Sequence, residues 1–280
     1  MNNIPKIPVG RWVDGFVTYL NETFEGFFGW LSDGIEGFTD LIVYGLMAIP
    51  ALLLILIVTG IAWYVSRSWS LPVLAFVGLL FIVNLGYWEQ TIDTLSLVLT
   101  SVIISIIIGV PIGIIASQNE TFSKIMTPIL DLMQTMPAFV YLIPAILFFG
   151  IGVVPGIIAS VIFAMPPTIR LTNLGIRQVP EDLVEAANAF GSTTMQKLIK
   201  VELPLATKTI MAGINQSIML ALSMVVIASL VGAPGLGVDV YRAVTRIEVG
   251  RGFEAGIAIV ILAIILDRIT QNLGTKKKEG

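Results

Sequence analysis

The side chains able to do chemistry in this sequence are limited first by what is missing: its 280 residues contain neither His nor Cys. That removes thiol nucleophiles, imidazole bases, disulfides and the usual zinc ligands together. No Gly-rich loop followed by Lys-Ser/Thr is present to cradle a nucleotide, and no common hydrolytic constellation can be assembled. The expectation is therefore a chain that is not an enzyme, with no metal site and no cofactor of its own. What remains is a small set of polar residues inside long apolar runs. Asp131, Gln134 and Thr135 stand just before Pro137, and Asn215, Gln216 and Ser217 stand together in a later run. A polar group facing lipid is costly and turns inward, so these six are candidates to line a path for a polar solute. Pro137 and Pro144 would break their helix locally and free carbonyls that could line the same cavity. Asn215 and Ser217 suit hydrogen bonding between packed helices equally well, and Asp131 suits an inner-interface position or a helix-to-helix bond.

The elements that must hold these residues are membrane helices. The chain is 56% hydrophobic and 12% charged, where a soluble globular chain carries about 25% charged residues. A mean hydropathy of +0.91 cannot come from one anchor. A hydrocarbon core ~30 Å thick needs about 20 apolar helical residues. Seven blocks of roughly that length can be marked: 44–66, 71–88, 95–117, 128–149, 153–170, 209–231 and 253–270. The expected fold is an all-α, polytopic helix bundle of about seven transmembrane helices in a cell membrane. Net charge is −3, which gives no reason to expect nucleic acid. Asp14, Glu22 and Glu25 interrupt any apolar leader, so no cleaved signal is expected.

Lys and Arg bias orients the bundle. With the C-terminus inside, Arg67, Lys124, Arg170, Arg177, Lys197, Lys200, Lys208, Arg268 and Lys276 to Lys278 are cytoplasmic, eleven of the sixteen basic residues. Seven spans then put the N-terminus outside, which suits its acids against Lys6 and Arg11. Arg242, Arg246 and Arg251 dissent, and Asp239, Glu248 and Glu254 would balance them in a folded, ion-paired outer segment. Phe16, Leu20, Phe24, Phe27 and Leu31 recur at helical spacing, so residues 12–38 read as an amphipathic helix in the outer interface, or as a loosely ordered tail. Trp63, Tyr64, Trp69, Tyr87 and Trp88 fall at span ends as belt residues. The glycine pairs 109/113, 152/156 and 252/256 would permit close helix approach.

One connection, residues 176–207, is longer than the others and is built to fold. Pro180 can open a helix, with Glu181 and Asp182 where the N-terminal dipole favours anions. Leu183, Ala187 and Phe190 form an apolar face, and Gly191 stops the helix as a C′ residue. Ser192 is an N-cap for a second helix with Met195, Leu198 and Ile199 as its stripe, and Pro204 marks the approach to the next span. Such a ridge either caps the bundle from below or waits for a soluble partner with a groove that accepts a helix.

Glu185-Ala186-Ala187, three residues, Gly191, nine residues, then Val201-x-Leu203-Pro204 resembles the EAA loop of ABC importer permeases, with Val201 where Ile is usual. The run from Leu130 to Pro144, continued by Phe148-Phe149-Gly150-Ile151-Gly152, resembles the fourth-span signature of the glycine betaine/proline betaine permeases. The resemblance implies a type I permease core over 93–274. Ahead of it stand an extracytoplasmic segment at 1–43 and two additional helices in 44–92, and a basic tail at 275–280 follows. It implies that the loop docks on a separate ATPase subunit, two copies of which hold the ATP and Mg. It also implies a second copy of this chain, an extracytoplasmic substrate-binding protein above and surrounding membrane lipid. The implied cargo is a compatible solute, glycine betaine first, with choline, carnitine or proline as alternatives. Phe139 and Tyr141 join the path candidates because a quaternary ammonium favours aromatic faces. An ion-driven secondary transporter is the reading from a different class, and it leaves the loop without a use.

Overall fold

The computed structural model describes residues 8–275, and the lysines at 276–278, like Lys6, lie outside the described residues. Among the described residues every regular element is a helix: α1 (Val9–Met47), α2 (Ala51–Ser66), α3 (Ser70–Asn84), α4 (Trp88–Gln118), α5 (Glu120–Thr135), α6 (Ala138–Phe149), α7 (Val153–Arg177), α8 (Glu181–Ala189), α9 (Thr194–Lys197), a π-helical turn (Leu198–Glu202), α10 (Leu203–Ser229), α11 (Leu236–Arg246) and α12 (Val249–Thr275).

α4, α7 and α10 form the centre. Leu97, Val98 and Val102 pack with Ile157, Val161 and Ala164 and with Ala221, Leu222 and Val225. The close approach is possible because side chains are absent where the helices cross. A Cβ on Gly113 would fall 2.6 Å from the Thr172 Cβ, and one on Gly213 would fall 3.0 Å from the Pro167 carbonyl oxygen. Lipid supplies little driving force for helix association, so small residues and interhelical hydrogen bonds must supply it. Thr168 and Ser217 are both fully buried and bond across α7 and α10 at 2.8 Å. A second cluster joins α2, α3 and α12 through Ile55, Leu79, Ile82, Ala258 and Ile265. The outer faces of α2 and α3 expose Leu53, Leu56, Ile61, Val73, Val77 and Phe81, a contiguous apolar surface of the kind lipid covers.

Seven unbroken spans are not what the chain forms. Among the described residues four helices are long and apolar enough to cross by themselves, the pieces 88–118, 153–177, 194–229 and 249–274. Two further apolar stretches are bent pairs. α1 and α2 meet at 100° before Pro50, and α5 and α6 meet at 96° at Met136–Pro137, so neither 44–66 nor 128–149 is one straight helix. α3, at 15 residues, is shorter than a straight crossing requires. The cause of the second bend is local: Pro137 disfavours helical geometry at Met136, which sits at ψ 137°, and it lacks the N–H that would continue the ladder.

The amphipathic N-terminal stretch is part of α1, with one non-helical residue at Phe24. Its later half is anchored. Phe28 stacks on Phe148 of α6 at 4.4 Å between ring centroids, and Thr39 bonds to Thr100 of α4 at 3.3 Å. Its glycines 26, 29, 34 and 37 meet nothing within 4 Å, so they serve no close packing. Of the three glycine pairs, only 109/113 acts as a pair. Gly152 lies outside a helix at φ 155°, and Gly256 has open space beside it.

Candidate functional site

The loop between α7 and α10 is held by capping chemistry at each turn. Pro180 flanks α8 at ψ 131°, and Glu181 and Asp182 occupy the first turn. Gly191 takes φ +76°, where an L side chain would be strained. There the Ser192 N–H donates to the Ala187 carbonyl at 3.1 Å and the Gly191 N–H to Asn188 at 2.9 Å, the paired bonds of a Schellman ending. The second helix is capped one residue later than Ser192. Thr193 accepts from the Gln196 N–H at 3.3 Å, and the Thr193 N–H donates to the Gln196 side chain at 2.9 Å, a reciprocal capping box. That helix does not end before the span. Through the π turn it runs directly into α10, with Pro204 as the second residue of α10.

The loop divides into an inner and an outer face. Ala187 and Leu198 are buried, Leu198 packing with Ile176 and Ala206. Phe190 is 90% exposed, and Met195, Ile199 and Leu183 stand bare on the same segment. Glu185 and Ala186 are exposed on α8, Gly191 is exposed at the turn, Val201 and Leu203 are half-buried, and Pro204 is exposed.

Behind the loop lies a set of polar ties that sequence reasoning missed. Glu202 is buried at 6% exposure in the π turn. It accepts from Gln118 at the end of α4 at 3.0 Å and lies 4.0 Å from Lys197. Arg177 donates to the Ala116 carbonyl of α4 at 3.0 Å and to Asn173 at 2.9 Å. Asn173 donates to Ser123 of α5 at 3.1 Å, and Arg170 donates to Asp131 of α5 at 2.6 Å. Arg170, Asn173 and Arg177 stand at i, i+3 and i+7, one face of α7. That spacing is visible in the sequence and was the available signal. Glu202 had none, because nothing local says that its neighbour across the bundle is Gln118.

At the elbow between α5 and α6, Pro137 cannot donate to the Met133 carbonyl four residues back. The hydroxyl of Tyr141 does so instead, at 2.6 Å, with the Leu132 carbonyl at 3.0 Å. The carbonyl freed by the break is therefore satisfied inside the protein instead of being left to line a cavity. Gln134 is half-buried, and Thr135, Pro137 and Phe139 are exposed. A cavity of about 1020 Å³ opens between Val13, Asp14 and Val17 of α1 and Met136, Tyr141 and Pro144 of the elbow. Asn215 belongs elsewhere. It donates to Asp267 of α12 at 2.7 Å and borders a separate cavity of about 350 Å³ with Lys208, Thr270 and Gln271. Gln216 is exposed, and Ser217 is buried against Thr168 and the Ala164 carbonyl. Within one chain, then, the two groups of path candidates do not meet.

At the end of the bundle opposite the loop, α11 and the first turn of α12 carry the basic residues that opposed the orientation rule. Full ion pairing does not occur there. Arg251 meets Glu248 at 3.4 Å, while among the described residues Arg242 and Arg246 form no ion pair. They share with Asp239 a small polar cavity beside Tyr87. Burial first, then the carboxylates of Asp239 and Glu254, pushes the Tyr87 phenol above its ordinary value. Among the described residues no cluster of acids could hold a metal ion.

Residues 109–279 match the family described as "Binding-protein-dependent transport system inner membrane component". The chain is 63% identical to the glycine betaine transport system permease protein OpuAB of Bacillus subtilis (strain 168), over 99% of this chain and 98% of that one. It is 57% identical to the glycine betaine/carnitine transport permease protein GbuB of Listeria monocytogenes serotype 1/2a (strain 10403S), over 99% of each. It is 47% identical to the glycine betaine/proline betaine transport system permease protein ProW of Escherichia coli (strain K12), over 96% of this chain and 75% of that one. Among solved structures it resembles the MetNI methionine ABC transporter in an inward-facing form. The TM-score is 0.59 at 22% identity, over 67% of this chain and 94% of that one, a likeness of fold.

Proposed function

The chain belongs to the family of binding-protein-dependent transport system inner membrane components, and we propose that it forms the translocation path of an ATP-driven importer for glycine betaine. The observation that carries the reading is the loop between α7 and α10, which is folded by its own caps yet leaves Phe190, Met195 and Ile199 without a partner. A monomer rarely leaves such a ridge bare, and a helical ridge suits a groove on another subunit. Here that subunit is a separate ATPase, holding ATP and Mg, against which Glu185, Ala186, Ala187 and Gly191 come closest while Val201, Leu203 and Pro204 join the loop to the span. Glycine betaine is the cargo because the names of three relatives at 47–63% identity share it.

In this reading two copies of the chain face each other, two ATPase subunits sit beneath and a substrate-binding protein delivers solute from outside. The N-terminus is external and the C-terminus cytoplasmic, as the excess of Lys and Arg on the loop side favours. Nucleotide-driven closure beneath draws the two loops together and biases a bistable bundle toward its outward-open arrangement, and hydrolysis reverses the bias. Gln134, Thr135, Pro137, Phe139 and Tyr141 line or support the path at the elbow. From α10, Gln216 is the exposed candidate, while Ser217 and Asn215 hold α10 to α7 and α12.

Uptake of radiolabelled glycine betaine into vesicles holding this chain with its ATPase and binding protein tests the reading. ATP-dependent accumulation that is lost in Gly191→Asp is the expected result. Full transport by that variant would remove the loop from the mechanism, and accumulation without any ATPase would favour an ion-driven carrier. Competition by excess choline, carnitine or proline measures how far the cargo extends beyond glycine betaine.

A further inference from the structure

We propose that Arg170 and Asn173 are positioning residues, and that the Arg170–Asp131 ion pair is the strut that makes the α5–α6 elbow follow the loop end of α7. The inference rests on the transport reading above and adds a mechanical role to residues that this reading leaves idle. Its basis is a series of bonds that begins at the loop and ends at the break. Glu202 in the π turn is tied to Gln118 of α4, and Arg177 ties α7 to the same end of α4 through the Ala116 carbonyl. One and two turns further along the same face of α7, Asn173 and Arg170 grip α5 at Ser123 and Asp131. Tyr141 then ties α6 to the last turn of α5.

The apolar packing of α5 is slight: Leu130 alone is fully buried, Phe122, Met126 and Met133 are half-buried on the same face, and Ile125, Ile129 and Leu132 are exposed. The two polar grips add directed contacts to that shallow face, at Ser123 and Asp131. Arg170 and Asp131 are both about half-exposed, so the pair adds little to stability. Its short single contact of 2.6 Å sets where α5 sits. Polar bonds of this kind, spaced one helical turn apart, let a shift of the α7 end move the elbow as one body with it. A displacement at the loop then reaches Pro137 without the path residues having to sense nucleotide.

The test is a double-mutant cycle in the full assembly: this chain, its ATPase and its binding protein in vesicles. Glycine betaine moved per ATP hydrolysed is read together with the half-saturating solute concentration. R170Q and D131N should each lower the transport-to-hydrolysis ratio by about fivefold, within the range such networks modulate. The half-saturating concentration should stay unchanged, and the exchanged pair R170D/D131R should restore most of the ratio. N173A should lower the ratio in the same direction. A path role for Asp131 would instead shift the half-saturating concentration, and the exchange would not repair it. A purely structural role would lower the yield of assembled complex while the surviving complex kept the normal ratio. Either result overturns the strut, as does a normal ratio in R170Q. An unaltered assembly that shows no ATP-dependent uptake would sink the transport reading itself, a different failure from any of these.

Discussion

At the scale of single residues, small side chains in this protein matter by absence. Gly113 and Gly60 are both helical glycines in apolar surroundings, but only Gly113 faces a neighbouring backbone. A Cβ there meets the Ile169 carbonyl oxygen at 2.8 Å as well as Thr172, and backbone cannot give way as a flexible side chain can. Gly113→Ala should therefore destabilise the chain by about 1–3 kcal/mol through overpacking. Gly60→Ala, with nothing within 4 Å, should be neutral or stabilising by up to ~1 kcal/mol. Thermal unfolding midpoints of the detergent-solubilised variants separate the two, and equal shifts would contradict the packing described between α4 and α7. Gly191 differs in kind from both. Its surroundings are open, but its φ of +76° makes any side chain costly, so its requirement is conformational.

Elements here are defined by how their ends are satisfied. The α5–α6 elbow is stable because Tyr141, four residues past Pro137, supplies the donor that proline lacks. Tyr141→Phe keeps the ring and its packing but strands the Met133 carbonyl. It should cost about 1–3 kcal/mol, the penalty of an unsatisfied buried acceptor. Hydrogen exchange should show faster opening of residues 130–140 while α7 and α10 keep their protection. Unchanged exchange at the elbow would mean that water replaces the hydroxyl without loss. The loop follows the same logic, since a Schellman ending and a capping box stand two residues apart and leave little freedom between α8 and α9. That rigidity suits a segment that must transmit displacement instead of absorbing it.

For the molecule as a whole, the decisive property is which ends of the helices share a side. α4, α7 and α10 bring Gln118, Arg177 and Leu203 to one end. α11 sits at the other, and Phe28 of α1 stacks on the end of α6 that leads into α7. The sequence contains no Cys, so single cysteines report without background. Cysteines placed at Asn21 and Thr194 should be labelled by impermeant reagents from opposite faces of the membrane, Thr194 from the cytoplasm. Labelling of both from one face would overturn the orientation and, with it, the docking role of the loop.

Much of this was legible in the residues alone. Hydrophobic blocks announce membrane helices, and the Glu185-Ala186-Ala187 to Leu203-Pro204 pattern announces the loop, because both signals are local: length, periodicity and caps act within a few turns of chain. The break at Pro137 was visible for the same reason, although its angle and its repair by Tyr141 were not. Nor was the number of straight crossings, since a run of apolar residues has the same hydropathy whether it continues or folds back. Tertiary structure alone decided that Ser217 meets Thr168, that Asn215 turns to Asp267, and that Glu202 reaches Gln118 across 84 residues of chain. A polar residue in lipid must find a partner, and its type states that need. Which partner it finds depends on how separate helices pack.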